Sequence, residues 1–329
     1  MKKAVKIIIT AVMISAVFAC ASKKMQGKIK IGISKIVSHP ALDAVEQGIQ
    51  DELKEQGIDA EFDLQNANGD VNTAASIAAK FKAEGADISV GIATPTAQAL
   101  VNAIKDKPVI YAAVTDPVSA GLVASFTEGG ENVTGVSDMT PVKEQLVFLS
   151  KIKKIKTVGH IYSSHEDNAV ALAKIVKASC DELGIELVES TISNSSEVKQ
   201  AAQSIAGRVD AFYVSTDNTV VSALSSLVDV ADKNSIPVMS ADPSSAESIG
   251  VLAAWGFDYY KMGRATGRMI AEIINGKECS DIPTMFLTDP KDIDLLINKD
   301  VAKKLNLEFP SDVEKNAASV VENGKLEKK

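Results

Sequence analysis

The sequence predicts an α/β fold made of two doubly wound parallel-sheet lobes joined by crossover segments. Three observations lead to this prediction. Short apolar runs alternate with amphipathic helical stretches from residue 28 onward. Most of the apolar runs are nearly unbroken, which is typical of parallel strands covered on both faces. The alternation occurs twice, and a connection rich in Gly, Asp, Ser and Thr (115–140) separates the two runs.

The first run is predicted to contain four strands and three helices. The first strand covers 28–34, where isoleucine alternates with other residues. The first helix covers 40–56, with leucine, valine and isoleucine along one stripe and Gly57 as its stop. Pro95 takes the favoured first position of a later helix. The remaining elements are strand 60–65, helix 70–84, strand 87–92, helix 95–104 and strand 108–114.

The second run repeats this pattern without a residue-by-residue repeat. A second crossing candidate (242–255) follows it, then a long helix over 258–275 and a strand near 283–287. The elements of the second run are helices 141–152, 166–183, 195–206 and 218–232, and strands 157–162, 186–191, 210–214 and 237–240.

The two runs suggest a division into lobes. Lobe 1 is predicted to comprise 28–138 plus about 256–281, and lobe 2 to comprise 139–255 plus about 282–310. The polar segment 311–329 is expected to be a C-terminal tail, either a frayed helix or disordered.

The N-terminal segment has the pattern of a secretory signal peptide over residues 1–19. Three lysines precede an apolar run, 7–19, that is too short to cross about 30 Å of hydrocarbon. Cys20 comes next, and Val17-Phe18-Ala19-Cys20 resembles a bacterial lipobox, in which the cysteine is lipidated and becomes the new N terminus. We therefore expect a lipidated tether over 20–27 and a location outside the cytoplasm, on the membrane. Plain secretion with an incidental cysteine is the alternative.

Charge and motifs exclude several function classes. Cleavage before Cys20 removes three lysines and no acids, so a net charge of -8 becomes -11, which argues against a nucleic-acid partner. The motifs of serine hydrolases, P-loop enzymes, zinc proteases and dinucleotide-binding enzymes are absent from the sequence. We expect no enzyme activity, cofactor or metal. Cys180 and Cys279 match no zinc pattern and are expected to be free thiols, with a disulfide as the alternative.

Polar residues cluster where the predicted strands end. Ligands of open α/β sheets bind outside the carboxyl ends of the strands. Several of these residues also suit helix caps or turns, so each has a structural alternative. The candidates are His39, Thr94, Thr96, Thr115 and Asp116 in the first half, and Asn168, Thr216, Asp217, Asn218 and Asp242 in the second.

Several of these segments together resemble one family. The stretches are His39–Asp43, Ala93–Leu100, Thr115–Val118, Gly135–Asp138, Ser215–Asn218 and Gly256–Gly263. They resemble those of ABC-transporter substrate-binding lipoproteins of the tryptophan/tyrosine type, and the resemblance covers 28 to about 307. It implies the type I periplasmic-binding fold, with two lobes joined by three crossings that close on a ligand. It also implies an amino-acid ligand, often aromatic, delivered to a permease and ATPase, and it adds Asp138 to the candidates.

The candidate residues can be assigned to the two charged groups of an amino-acid ligand. Thr94 and Thr96, at a helix start, would hold its carboxylate, and Asp116, Asp217 or Asp242 would hold its ammonium group. Asn168, Thr216 and Asn218 would complete the other wall. The scarcity of aromatic residues at the strand ends argues against an aromatic ligand, for which stacking partners would be expected. The low aromatic content, 5%, argues against a sugar. A sugar or nucleoside receptor and a ligand-presenting sensor subunit stay open as alternatives, and a monomer is expected.

Overall fold

A computed structural model of the chain describes Met25 and residues 27–247 and 249–329. The predicted signal peptide and Cys20 lie outside the described residues. The strands, in chain order, are β1 (Ile29–Lys35), β2 (Ala60–Asn66), β3 (Ile88–Ile92), β4 (Val109–Val114), β5 (Val133–Ser137), β6 (Thr157–Ser163), β7 (Glu186–Ile192), β8 (Ala211–Val214), β9 (Val238–Ser240), β10 (Ala253–Phe257), β11 (Met285–Phe286), β12 (Ile293–Asn298), β13 (Ser319–Glu322) and β14 (Lys325–Lys328).

Helices cover the faces of the sheets. Side-chain caps fix several helix starts: the Asp70 carboxylate accepts the N–H of Thr73 at 2.7 Å, and that of Asp258 accepts the N–H of Lys261 at 3.0 Å. The helices are α1 (Pro40–Glu55), α2 (Val71–Ala83), α3 (Thr94–Ala103), α4 (Val142–Ile152), α5 (Asp167–Leu183), α6 (Val198–Ile205), α7 (Asn218–Ser222), α8 (Leu224–Lys233), α9 (Pro243–Ala246), α10 (Tyr259–Ile274), α11 (Lys299–Lys304) and α12 (Ser311–Asn316).

The strands form two separate sheets, one in each lobe. The first has the order β11-β5-β4-β3-β1-β2, and all of its pairs are parallel. The second has the order β14-β13-β12-β10-β9-β8-β6-β7, with antiparallel pairs only at β10–β12 and β13–β14. Two doubly wound, mainly parallel sheets confirm the predicted fold class.

The chain crosses between the lobes three times. It leaves the first sheet after β5, returns after β10 to form α10 against α1, and leaves again after β11 to form β12. Two of these crossings are tied together, because the N–H of Asp258 donates to the carbonyl oxygen of Asp292 at 2.9 Å. These two crossings therefore lie side by side, as in a hinge between two lobes.

Glycines allow α1 and α10 to pack closely in the first lobe. A Cβ atom added at Gly48 would lie 2.3 Å from the carbonyl oxygen of Tyr260, and one added at Gly263 would lie 2.2 Å from that of Val45. Both distances are too short for any side chain, so the two helices approach through their backbones. This packing fixes α10, and with it Tyr259, against the strand ends of the first sheet.

The structure corrects the predicted lobe boundaries. β10 keeps residues 256–257 in the second sheet, and β11 places Met285 and Phe286 beside β5 in the first. The last crossing therefore falls at 287–292 rather than at 282. The two-residue strand β11 is too short to show a periodicity, so the sequence gives no signal for its partner. The connection 115–140 likewise contains the strand β5, whose central Gly135 lies against Tyr111.

The C-terminal segment is folded, which corrects the predicted frayed or disordered tail. β13 pairs with β12, and the β13–β14 hairpin turns at Asn323 and Gly324, both with positive φ. Asn-Gly is a strong hairpin signal, but the polar composition of the segment favoured a frayed or disordered tail. Cys180 and Cys279 are buried free thiols in different lobes, so the alternative of a disulfide between them is wrong.

Candidate ligand-binding site

A small cavity of about 10 Å³ lies between the lobes, where the carboxyl ends of the two sheets face each other. This space holds about one water molecule and is far smaller than a small-molecule site, so the lobes must separate to admit a ligand of amino-acid size. Among the predicted residues, the structure brings His39, Thr115, Asp138, Asn168, Thr216, Asp217, Asn218 and Asp242 to its wall. Leu42, Ala113, Val221 and Tyr259 complete the lining.

His39 connects the two lobes at the cavity. It precedes α1, and its ring Nδ1 lies 3.3 Å from the hydroxyl oxygen of Ser245 in α9 of the second lobe. Its Nε2 is buried and has no hydrogen-bond partner among the described residues. Burial lowers the pKa of this imidazole despite the carboxylates of Asp242 and Asp43 nearby. A neutral His39 therefore faces the cavity with one unused ring nitrogen.

Asp138 follows β5 and lies at the base of the cavity. Its carboxylate accepts hydrogen bonds from the Thr115 hydroxyl at 3.1 Å and from the Tyr259 hydroxyl at 3.0 Å. Burial raises the pKa of Asp138 to about 6, against the effect of the two hydrogen bonds, and the charge of Asp242 raises it further. The site thus holds a buried carboxyl group whose ionised form has no cationic partner among the described residues.

The Asp217 carboxylate binds backbone N–H groups of its own lobe. It caps α7, with one carboxylate oxygen accepting the N–H of Val220 at 3.0 Å and the other that of Ser163 at 2.6 Å. Burial and the charge of Glu166 raise its pKa to about 8. Both oxygens are already engaged by backbone N–H groups. Asp217 is therefore a poorer acceptor for a ligand cation than its position at a strand end suggested.

Three other polar side chains form the wall of the second lobe. The Asn168 amide donates to the carbonyl oxygen of Thr216 at 3.3 Å, and the Asn218 amide donates to Glu166 at 2.5 Å. The Oδ1 atom of Asn168 and the hydroxyl of Thr216 are buried without a protein partner in the part of the chain that the structure describes. Buried polar atoms normally have hydrogen-bond partners, so these two groups are available to bind a polar ligand.

Asp242 provides a carboxylate from the second lobe. It caps α9, where Oδ1 accepts the N–H of Ser245 at 3.1 Å, and the residue is 2% exposed. Asp242 and Asp138, one from each lobe, line the same cavity, and the charge of Asp242 raises the pKa of Asp138. The residues that line the cavity include three aspartates and no lysine or arginine. This charge pattern favours a ligand that brings a cationic group.

The two threonines at the start of α3 differ in the hydrogen bonding of their hydroxyl groups. The Thr96 hydroxyl donates to the carbonyl oxygens of Ile92 (2.6 Å) and Ala93 (3.0 Å), so it serves its own helix. The Thr94 hydroxyl is buried without a partner among the described residues, as is that of Ser34 at the end of β1. α3 also begins without a side-chain cap. Neither threonine lines the cavity, although Thr94 lies at the same edge of the first sheet.

The structure does not bring Asp116 to the cavity. Its carboxylate accepts the N–H groups of Val118 (3.1 Å) and Ser119 (2.9 Å), which makes it a turn former before Pro117. Trp255 is also absent from the lining and packs against Phe148, with ring centroids 5.9 Å apart. Asp116 follows β4 and Trp255 lies within β10, and local hydrogen bonding and core packing occupy their side chains.

Sequence reasoning missed part of the site. Tyr259 lies in one of the recognised segments, but a tyrosine at a helix start carries no specific signal for ligand binding. Glu166 is buried beneath the wall and is bonded to Asn218 and Thr219. Its position next to a predicted candidate loop was the available signal. Leu42, Ala113 and Val221 are apolar residues like those of any core, so only the tertiary structure identifies them as lining.

The two-lobed fold and the polar cavity between the lobes define the chain as a solute-binding protein of the type I periplasmic-binding class. A family described as "ABC transporter substrate binding protein" matches residues 30–321. The chain belongs to this family of ABC transporter substrate-binding proteins. Such proteins act outside the cytoplasm. None of the helices described here is long and apolar enough to cross a membrane.

Similar proteins are known from bacteria. A tyrosine-binding protein of Clostridioides difficile is 39% identical over 87% of this chain and 83% of its own length. A domain from Streptococcus pneumoniae in complex with L-Trp is 35% identical, with a TM-score of 0.85 over 90% of this chain and all of that one. A ligand-free, open structure of a Clostridium difficile substrate-binding protein is 39% identical, with a TM-score of 0.67 over 89% of this chain and 99% of that one.

The lobes of this chain are arranged more like those of the L-Trp complex than like those of the open structure. At similar sequence identity, the chain matches the L-Trp complex clearly better than it matches the open structure. The hydrogen bond between His39 and Ser245 across the cavity is consistent with closed lobes. The cavity described above is therefore the volume that remains when the two walls have come together.

Proposed function

We propose that this protein captures an aromatic amino acid between its lobes and delivers it to the permease of an ABC importer. The observation that carries this proposal is the pair of buried carboxyl groups, Asp138 and Asp242, that face one small cavity without a cationic partner. A ligand ammonium group would supply the missing positive charge. Hydrogen bonds to charged groups are roughly twice as strong as neutral ones.

The ligand's carboxylate would be held by neutral donors, since the lining contains no lysine or arginine. The hydroxyls of Thr94 and Ser34 are unpartnered at the edge of the first sheet, and the uncapped start of α3 presents backbone N–H groups beside them. A helix start favours an anion because of its free N–H groups and its dipole. Small movements on binding would bring Thr94 into the lining.

The side chain of the ligand would lie against the apolar part of the wall. Leu42, Val221 and the His39 ring contribute apolar surface there, and the unused Nε2 of His39 offers a hydrogen bond to a phenol or an indole N–H. The tyrosine and tryptophan ligands of the similar proteins agree with this chemistry. A sugar site would normally stack on aromatic rings, and Tyr259, whose hydroxyl bonds Asp138, is the only such ring in the lining.

The delivery role rests on the family and on the N terminus. Members of this family serve ABC transporters. We propose that Cys20 is lipidated after removal of residues 1–19 and that the acyl chains hold a monomer at the membrane, close to the permease. Radiolabelled palmitate would be incorporated into the wild-type protein in cells and would be absent from a Cys20→Ser variant.

A thermal-shift screen tests the ligand class directly. A ligand that binds only the native state raises the melting temperature by mass action. We expect shifts with L-tyrosine or L-tryptophan and none with glucose, myo-inositol or adenosine. A shift with sugars or nucleosides alone would overturn the proposed ligand. Release of small molecules by denaturation, followed by mass spectrometry, would identify any ligand retained during purification.

A further inference from the structure

A hydrogen bond outside the cavity joins the two lobes. The Gln98 side chain on α3, in the first lobe, donates from Nε2 to Oδ2 of Asp167 on α5, in the second lobe, at 2.7 Å. The two residues are 69 positions apart in the chain. Neither residue lines the cavity. The contact therefore depends on the relative position of the lobes and not on any contact with ligand.

Gln98 and Asp167 are each held in position by contacts or structure within their own lobe. The same Gln98 nitrogen also donates to the carbonyl oxygen of Ala120 at 3.1 Å, which fixes the amide within the first lobe. Asp167 occupies the first turn of α5, directly before Asn168 in the cavity wall. A donor held by one lobe and an acceptor held by the other can meet only over a narrow range of lobe angles.

We propose that the Gln98–Asp167 hydrogen bond is a latch that stabilises the closed state and thereby sets the residence time of the ligand. This inference rests on the proposed function, because it assumes that ligand leaves through lobe opening. The bond forms on closure and breaks on opening, so its free energy is added to the closed state alone. An increase in the closed population raises apparent affinity without a new ligand contact.

The size of the effect follows from the exposure of the pair. Asp167 is exposed and Gln98 is half-buried, so solvent competes for the bond. We expect Gln98→Ala to accelerate dissociation of L-tyrosine or L-tryptophan three- to tenfold, with little change in the association rate. The matched control is Gln47→Ala. The Gln47 amide donates to Asp51, and both residues lie in α1 of the first lobe, so this bond does not join the lobes. This control should leave both rates unchanged.

A double-mutant cycle separates the latch from other effects of each substitution. Asp167→Ala also removes an acidic residue from the first turn of α5, and Gln98→Ala also removes the bond to Ala120. If the two side chains act on each other, the double variant should dissociate no more than about twofold faster than the faster single variant. Effects that multiply in the double variant would overturn the latch.

A second measurement needs no ligand. Spin labels on Ala79→Cys in α2 and Lys174→Cys in α5, both exposed positions in the full-length protein, report the distance between the lobes. Gln98→Ala should shift the ligand-free distance distribution toward more open forms, and Gln47→Ala should not. Unchanged distances would overturn the latch. Failure of the wild-type protein to bind either amino acid would instead refute the proposed function, while the label distances would still test the latch.

Discussion

Tyr259 donates a hydrogen bond from its hydroxyl group to Oδ2 of Asp138 at 3.0 Å, and this bond joins two of the three crossings between the lobes. Asp138 follows the last residue of β5, and Tyr259 begins α10 directly after β10. Both residues line the cavity. The bond therefore couples the geometry of the hinge to a carboxylate that faces the ligand.

Replacing Tyr259 with Phe should weaken ligand binding while the fold is retained. The variant keeps the ring in place but removes one of the two side-chain donors to Asp138, and a hydrogen bond to a charged group contributes about 1.5–3 kcal/mol. We expect a rise in Kd for L-tyrosine or L-tryptophan of about tenfold by isothermal titration calorimetry. The exposed Tyr260→Phe variant is the matched control, and equal affinities for the two variants would contradict the prediction.

Asp242→Asn should reduce affinity more strongly than any change at Asp116. The substitution preserves the cap of α9, because the amide oxygen can still accept the Ser245 N–H, but it removes a negative charge from the cavity. We expect a loss of at least tenfold for zwitterionic amino acids, measured by titration calorimetry. Asp116→Asn leaves the lining intact and should bind normally. Normal binding by Asp242→Asn would assign the ammonium group to Asp138 alone.

The buried carboxyl of Asp138 predicts a specific dependence of stability on pH. Its folded-state pKa is about 6, above the ordinary value of 3.8, so the folded protein binds more protons than the unfolded chain between these values. The stability contributed by this group is complete below about pH 4 and is lost as pH rises to about 6. The loss amounts to about 3 kcal/mol in the ligand-free protein.

Urea unfolding at a series of pH values would measure this effect. The wild-type free energy of unfolding, minus that of Asp138→Asn, should fall between pH 4 and 6. The difference is needed because burial lowers the pKa of His160 to about 4, which makes stability rise with pH over a similar range. Parallel curves for the two proteins would show that Asp138 titrates normally. A ligand ammonium group should restore the ionised form, so affinity should increase from pH 5 to 7.

Gly263→Ala should destabilise the first lobe. The added Cβ atom would lie 2.2 Å from the carbonyl oxygen of Val45, so α1 and α10 would have to separate. Overpacking of this kind costs about 1–3 kcal/mol. We expect a lower melting temperature by scanning calorimetry. Gly207→Ala is the matched control, because no atom lies within 4 Å of its added Cβ, and a similar loss in both variants would refute the role of close packing.

The strand and helix pattern was predictable because each element carries its own local signal. Apolar runs and the aspartate or proline at helix starts predicted β1–β4 and α1–α3 closely. A strand near β11 was predicted, but its pairing with β5 and the strand β5 itself were not, since short strands are defined by partners that are distant in the chain. The C-terminal hairpin had a local signal at Asn323 and Gly324, but its polar composition obscured the one buried face.

The sequence by itself determined that polar side chains would lie at the strand ends of both lobes. Only the tertiary structure decided which of them face the ligand. Asp116 and Thr96 lie outside the lining and are engaged by backbone groups, and Asp217 lies in the wall with both carboxylate oxygens engaged by backbone N–H groups. Asp138, Asn168 and Thr216 also face the cavity, and neither Asn168 Oδ1 nor the Thr216 hydroxyl has a partner among the described residues. The sequence gives the hydrogen-bonding groups of each side chain. Whether those groups are free for a ligand depends on the backbone N–H groups and carbonyl oxygens that folding brings within hydrogen-bond distance of them. The contacts of Gln98 with Asp167 and of His39 with Ser245 exist only because two separate lobes meet.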